Sequence, residues 1–267
     1  MIKNRLVYQF FGTKKELKKI TPAELYKAYL NLINNSCTTI AISGNLTGYD
    51  NLETQIEKIF GDKLKTNVDY KTIITNKERI ENTKPIEQVK EFLDTNQSVI
   101  TFAMRAKDVD TKDFFALNVY NEILGGNASS KLFQNLRERD SLAYIVKSRY
   151  YRYKNIFVIV AGIESKNYEK AKEVIIEQLD SILKGEITEK IFDSTKDSLI
   201  ADLLEWKDSK IAIEKLLISN LMFYKNNTVT LDRMIEGIKA VTIKDVIDIA
   251  KKVEVEKIYL LGGETNV

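Results

Sequence analysis

Only two prolines and eleven glycines punctuate 267 residues. Little interrupts regular structure, so long helices are expected wherever apolar residues recur at helical spacing. Pro22 fits this economy, because it follows Thr21 and precedes Glu24, and Thr-x-x-Glu is a capping box with proline at the first helical position. The spacing predicts a helix from there to about Asn34 that buries Leu25, Tyr29, Leu32 and Ile33. Thr38–Ile42 reads as a buried strand ended by Gly44-Asn45, and Asp50–Phe60 as a second helix. Residues 62–96 are polar and contain Pro85, which suggests a linker with one strand near Glu87–Phe92.

Beyond residue 97 the pattern alternates. Ser98–Met104 reads as a strand, and Phe114–Leu124 as an apolar helix stopped by Gly125-Gly126, with Ser129 able to cap a further helix through Leu136. Tyr144–Tyr153 and Ile156–Ile163 read as strands joined by a hairpin at Lys154-Asn155. From Asn167 the periodicity is helical, with Gly185 and Thr188 separating two long helices, and Lys257–Leu261 closes the chain as a strand. An echo links the two ends: Ile20-Thr21-x-x-Glu24-Leu25 matches Val241-Thr242-x-x-Asp245-Val246. Two unrelated capped helices would look the same. If the echo is a repeat, the chain opens in the middle of its first copy, with upstream sequence missing.

Composition excludes several functions. Forty-one basic against 38 acidic side chains leave a net charge of +3, too little to support polyanion binding. No apolar run approaches ~18 residues and the first ten residues lack the apolar core of a signal peptide, so no membrane partner is expected. A lone Cys37 suits a reducing compartment and a cytoplasmic location. There is no histidine, so Ser–His and Cys–His nucleophile pairs are impossible and a zinc site lacks its ligands.

Local constellations are weak one at a time. Leu124–Leu132 is not a phosphate loop, because Ser130 and Leu132 occupy the final glycine and hydroxyl positions. Asp108–Asp113 matches a calcium loop only at its first two acids and is better read as a turn capped by Asp110 or Thr111. Four tyrosines interleaved with Lys147, Arg149, Arg152 and Lys154 describe an amphipathic strand sooner than a nucleic-acid platform. Arg137 and Tyr144 flank one helix-to-strand junction, where a guanidinium and a phenol can hold a peptide carbonyl or steady an oxyanion.

Two of these runs, Leu124-Gly125-Gly126-x-x-Ser129-Ser130-Lys131-Leu132-Phe133 and Leu136-Arg137-Glu138-x-x-x-Leu142-Ala143-Tyr144, together resemble the second, zinc-less domain of the insulinase and mitochondrial-processing-peptidase family of zinc metallopeptidases. Lys131 and Ser141 stand where that pattern has arginine and glycine. The resemblance is good over about residues 87–263 and weaker over 1–60.

It implies an α+β fold, a two-layer sandwich of mainly antiparallel sheet with helices on one face, preceded by the tail of a second such domain. The expected boundaries are 1–75 for the incomplete first domain, 76–96 for a linker and 97–267 for the second domain. It also implies a non-catalytic portion or subunit that binds no cofactor itself, with zinc in a missing upstream domain or on a partner subunit. Arg137 and Tyr144 would contact an unfolded or short peptide substrate. The alternative is an inactive homologue that serves as a peptide-binding or scaffold protein. An open sheet edge near residues 1–60 suggests a homodimer.

Overall fold

The computed structural model describes residues 13–36, 38–61, 85–93, 97–152, 154–223 and 229–263. The chain divides into two compact units, Met1–Asp69 and Tyr70–Val267.

In the first unit, Thr13 and Thr21 each close a capping box, starting α1 (Lys14–Leu17) and α2 (Pro22–Asn35). A third helix, α3, runs Leu52–Phe60. The expected burial on α2 does not occur, since Leu25 is 63% exposed, Tyr29 54% and Leu32 62%. Thr38–Ile42 is likewise neither a strand nor buried. Both corrections share one cause. Apolar spacing forms the helix, but among the described residues this unit has no sheet to receive its apolar side.

The second unit is an α+β fold around a five-stranded sheet. Its strands are β1 (Glu87–Leu93), β2 (Ser98–Ala106), β3 (Ala143–Tyr151), β4 (Ile156–Ile163) and β5 (Val253–Gly263), in the order β1-β5-β2-β4-β3. Only β1 and β5 are parallel, so the sheet is mainly antiparallel. The expected β3–β4 hairpin forms, with Asn155 in the left-handed region at φ 51°.

Alternation along β2 is strict. Ser98, Ile100, Phe102, Met104 and Ala106 are buried while the residues between them are half-buried, so one face of the sheet is covered and the other is open. The cover comes from α4 (Phe114–Asn121), α5 (Tyr168–Leu183) and α9 (Ile243–Ala250), with α6 (Glu189–Glu205), α7 (Lys210–Phe223) and α8 (Leu231–Ala240) completing the helices. Leu117, Tyr120, Ala171, Ile175, Val246 and Ile249 are all buried against the strands. Burial of each large side chain stabilises by about 1.5–3 kcal/mol. Tyr120 meets Phe157 edge-on at 5.3 Å between ring centroids.

The helix starts follow the sequence closely. Asp110 caps the turn before α4, Thr188 caps α6, and Thr242 forms a capping box with Asp245 at α9. One cap differs. Ser129 donates to Asn127 Oδ1, and Ser130 Oγ instead receives the Phe133 amide.

Candidate functional site

The Gly125-Gly126 pair builds the framework of the site by close approach. A β-carbon on Gly125 would lie 2.9 Å from the Ser148 backbone nitrogen and 3.0 Å from its Oγ. The end of the α4 segment therefore rests directly on β3. Ser148 is buried and donates from Oγ to the Asn121 carbonyl at 2.9 Å, tying the strand to the helix. Ser130, Lys131 and Leu132 are buried beneath the same loop. Burial lowers the Lys131 ammonium pKa, and Glu186 opposes that shift.

Wide helical turns follow over Phe133–Arg139. The chain reverses through Ser141, whose φ of 51° is left-handed, and the Leu142 amide donates back to the Leu136 carbonyl at 2.9 Å. That conformation explains why glycine suits this position. Arg137 leaves the last helical turn, with its guanidinium carbon 4.7 Å from the centroid of the Phe133 ring and its Nε 3.6 Å from Glu138.

Tyr144 lies just across the reversal. The pairing of β3 with β4 slips between Ala143 and Ile145, so Tyr144 is an extra residue in the ladder. A bulge of this kind re-aims a side chain. Here it lays the Tyr144 ring over Gly162, where a β-carbon would collide with the ring. The Tyr144 hydroxyl donates to Gln97 Oε1 at 2.9 Å, and the residue remains 48% exposed. Arg137 and Tyr144 thus flank one junction, each held by its own partners and each open to solvent.

Gly162 is a site residue that sequence reasoning did not single out. The signal for Gly162 was available, because a lone glycine inside an apolar strand marks a bulge or a close approach.

The histidine and cysteine ligands of a zinc centre are lacking. The chain contains no histidine and one cysteine, and among the described residues no three His, Cys, Asp or Glu side chains are grouped to hold an ion. Also among the described residues, no helix is long and apolar enough to cross a membrane.

Residues 19–199, more than half of the chain, match the model of the peptidase M16 inactive domain. The chain belongs to that family. It is 28% identical over 253 residues to the Bacillus subtilis (strain 168) protein named "Probable inactive metalloprotease YmfF", covering 94% of this chain and 58% of that one. It is 27% identical over 257 residues to the "Uncharacterized zinc protease YmxG" of the same organism, covering 94% and 59%. The crystal structure of a conserved protein from Enterococcus faecalis V583 superposes with a TM-score of 0.76 at 26% identity, covering 97% of this chain and 60% of that one. The chain therefore spans less than two thirds of the length of these relatives. What the sequence and the family establish together is a peptidase-like chain that matches the inactive domain and contains no histidine.

Proposed function

We propose that this M16 chain completes the peptide chamber of an insulinase-like peptidase and presents Arg137 and Tyr144 to the carbonyl of a bound polypeptide. The zinc centre would belong to another domain or to a partner subunit. The observation that carries this reading is the bulge at Tyr144, which keeps a phenol out of the core and aims it over Gly162 beside the Arg137 junction. A strand that served packing alone has no use for such a departure. Gln97 holds the hydroxyl in the chain by itself, so an incoming carbonyl must displace that bond. Two fixed donors, one cationic, suit an oxygen on which negative charge develops.

The chain by itself is expected to be inactive, and cytoplasmic in location given its lone Cys37. The unsatisfied apolar side of α2 favours association through the first unit, either with a zinc-bearing partner or with a second copy. A second reading, an inactive homologue that binds peptide as a scaffold, is favoured by the inactive-domain match and the missing histidines.

Cleavage of an unstructured fluorogenic peptide separates the two readings, measured with zinc content for this chain alone and for its longest natural polypeptide or zinc-bearing partner. Under the first reading only the longer or paired form cleaves, and Arg137→Ala or Tyr144→Phe slows it roughly 10²-fold or more. Peptide binding without cleavage in every combination would leave the scaffold role.

A further inference from the structure

The strand register defines the composition of the open sheet face. Partners across a ladder share a face, so Val99, Thr101 and Ala103 of β2 lie beside Gly162, Val160 and Val158 of β4. On β3 the same face carries Ile145, Lys147, Arg149 and Tyr151, which pair with Gly162, Val160, Val158 and Ile156. The centre is therefore aliphatic, and its β3 flank is exposed: Ile145 is 43% accessible, Tyr151 47% and Val160 39%.

Charge on this face is unequal in a specific way. Its carboxylates are already engaged. Glu87 pairs with Lys257 at 3.1 Å and Glu91 accepts the Tyr259 hydroxyl at 2.7 Å. Glu256 takes Arg105 in a two-pronged contact at 2.6 and 3.0 Å, and Glu254 takes Lys107. Lys147 and Arg149 are exposed, and neither makes an ion pair with a described residue. On the β3 edge, beside the aliphatic strip and next to Tyr144, the charge without an ion-pair partner is thus positive, while Glu91, which is bonded to a neutral hydroxyl, lies on the opposite edge strand β1.

We infer that this face selects acidic polypeptide segments that carry Asp or Glu together with aliphatic residues. The inference rests on the peptide-chamber reading and deepens it by naming a substrate class. Every second side chain of an extended segment along β3 faces this side of the sheet, so an apolar side chain at one such position would meet Ile145 and carboxylates at the next ones would meet Lys147 and Arg149. The aliphatic centre and the small number of free cations favour a peptide over a nucleic acid, which requires a longer cationic track and bases stacked on rings.

Fluorescence anisotropy of the full chain tests this with three labelled peptides of equal length and equal Leu/Val content, whose remaining positions are all Glu, all Ser or all Lys. The acidic peptide is expected to bind roughly tenfold more tightly than the neutral one, and the basic peptide most weakly. The order should flatten as salt rises. The double variant Lys147→Glu, Arg149→Glu should reverse the preference, while Lys244→Glu on the helical layer should leave it intact. Equal binding of all three peptides, or an order that the double variant does not change, overturns the acidic selectivity and leaves the peptide chamber standing. If no peptide binds, the chamber reading fails with it. A single-stranded oligonucleotide that outcompetes the acidic peptide assigns the face to nucleic acid instead.

Discussion

The Tyr144 ring occupies the space where Gly162 would carry a side chain, so these two residues determine each other across the β3–β4 ladder. The glycine gives the ring a seat on the open face, and the bulge delivers the ring to it. A position inside an apolar strand whose side-chain space the ring already fills is thereby tied to a solvent-exposed phenol.

Gly162→Ala is expected to eject the Tyr144 ring from its seat without unfolding the domain, because the clash falls on the far end of a half-exposed side chain. Thermal denaturation should register a loss of about 1 kcal/mol or less. Peptide affinity should fall to the level of Tyr144→Ala. A variant that keeps full affinity would show that the ring's position is immaterial to binding.

Gly125→Ala should behave differently. Its methyl group meets the Ser148 backbone nitrogen at 2.9 Å and Leu132 Cδ1 at 3.1 Å, and buried backbone cannot swing aside. A loss of about 1–3 kcal/mol is expected in denaturant unfolding. At exposed Gly126 the nearest atoms belong to the end of the Glu122 side chain instead of to backbone, so Gly126→Ala should cost less than Gly125→Ala.

Ser141→Gly should stabilise the domain by about 0.5–1 kcal/mol, since Ser141 holds a φ of 51° that an L side chain resists. Equilibrium unfolding of the single variant measures this. An unchanged or lower midpoint would mean that the serine side chain contributes contacts which outweigh the backbone strain.

Glu122 supplies a pH test. Burial raises its carboxyl pKa above the ordinary glutamate range, with the nearby Asn127 side chain opposing the shift and Asp202 adding to it. The native state therefore holds this proton more tightly than the unfolded chain does. Its contribution is fully present below the unfolded pKa and is lost as pH rises through the folded one. Glu122→Gln should match the parent at low pH and exceed it in Tm at neutral pH. Curves that run parallel across that range would show that the carboxyl does not titrate as described.

Much of the second unit was legible in the sequence because its signals are local. Asp110, Thr188 and Thr242 cap the helices they were expected to cap, and Gly185 ends α5 at a φ of 78°. The strand expected over Ser98–Met104 forms as β2. Arg137 and Tyr144 were legible only as members of a motif, since neither residue type at that spacing reveals what the fold does with it. Burial on α2 was misjudged for the opposite reason. Helical spacing specifies which side of a helix is apolar, and only another part of the structure can cover that side.

By itself the sequence determined where most of the helices start and stop, and that histidine-based chemistry has no residue in this chain to carry it. Those properties depend on a few neighbouring residues or on composition. Tertiary structure alone decided that β1 joins β5 in parallel, that β3 slips by one residue at Tyr144, and that Glu87, Glu254 and Glu256 are ion-paired while Lys147 and Arg149 have no ion-pair partner among the described residues. Each of these is set by contacts between residues far apart in the chain, where register and pairing depend on packing that no local pattern encodes.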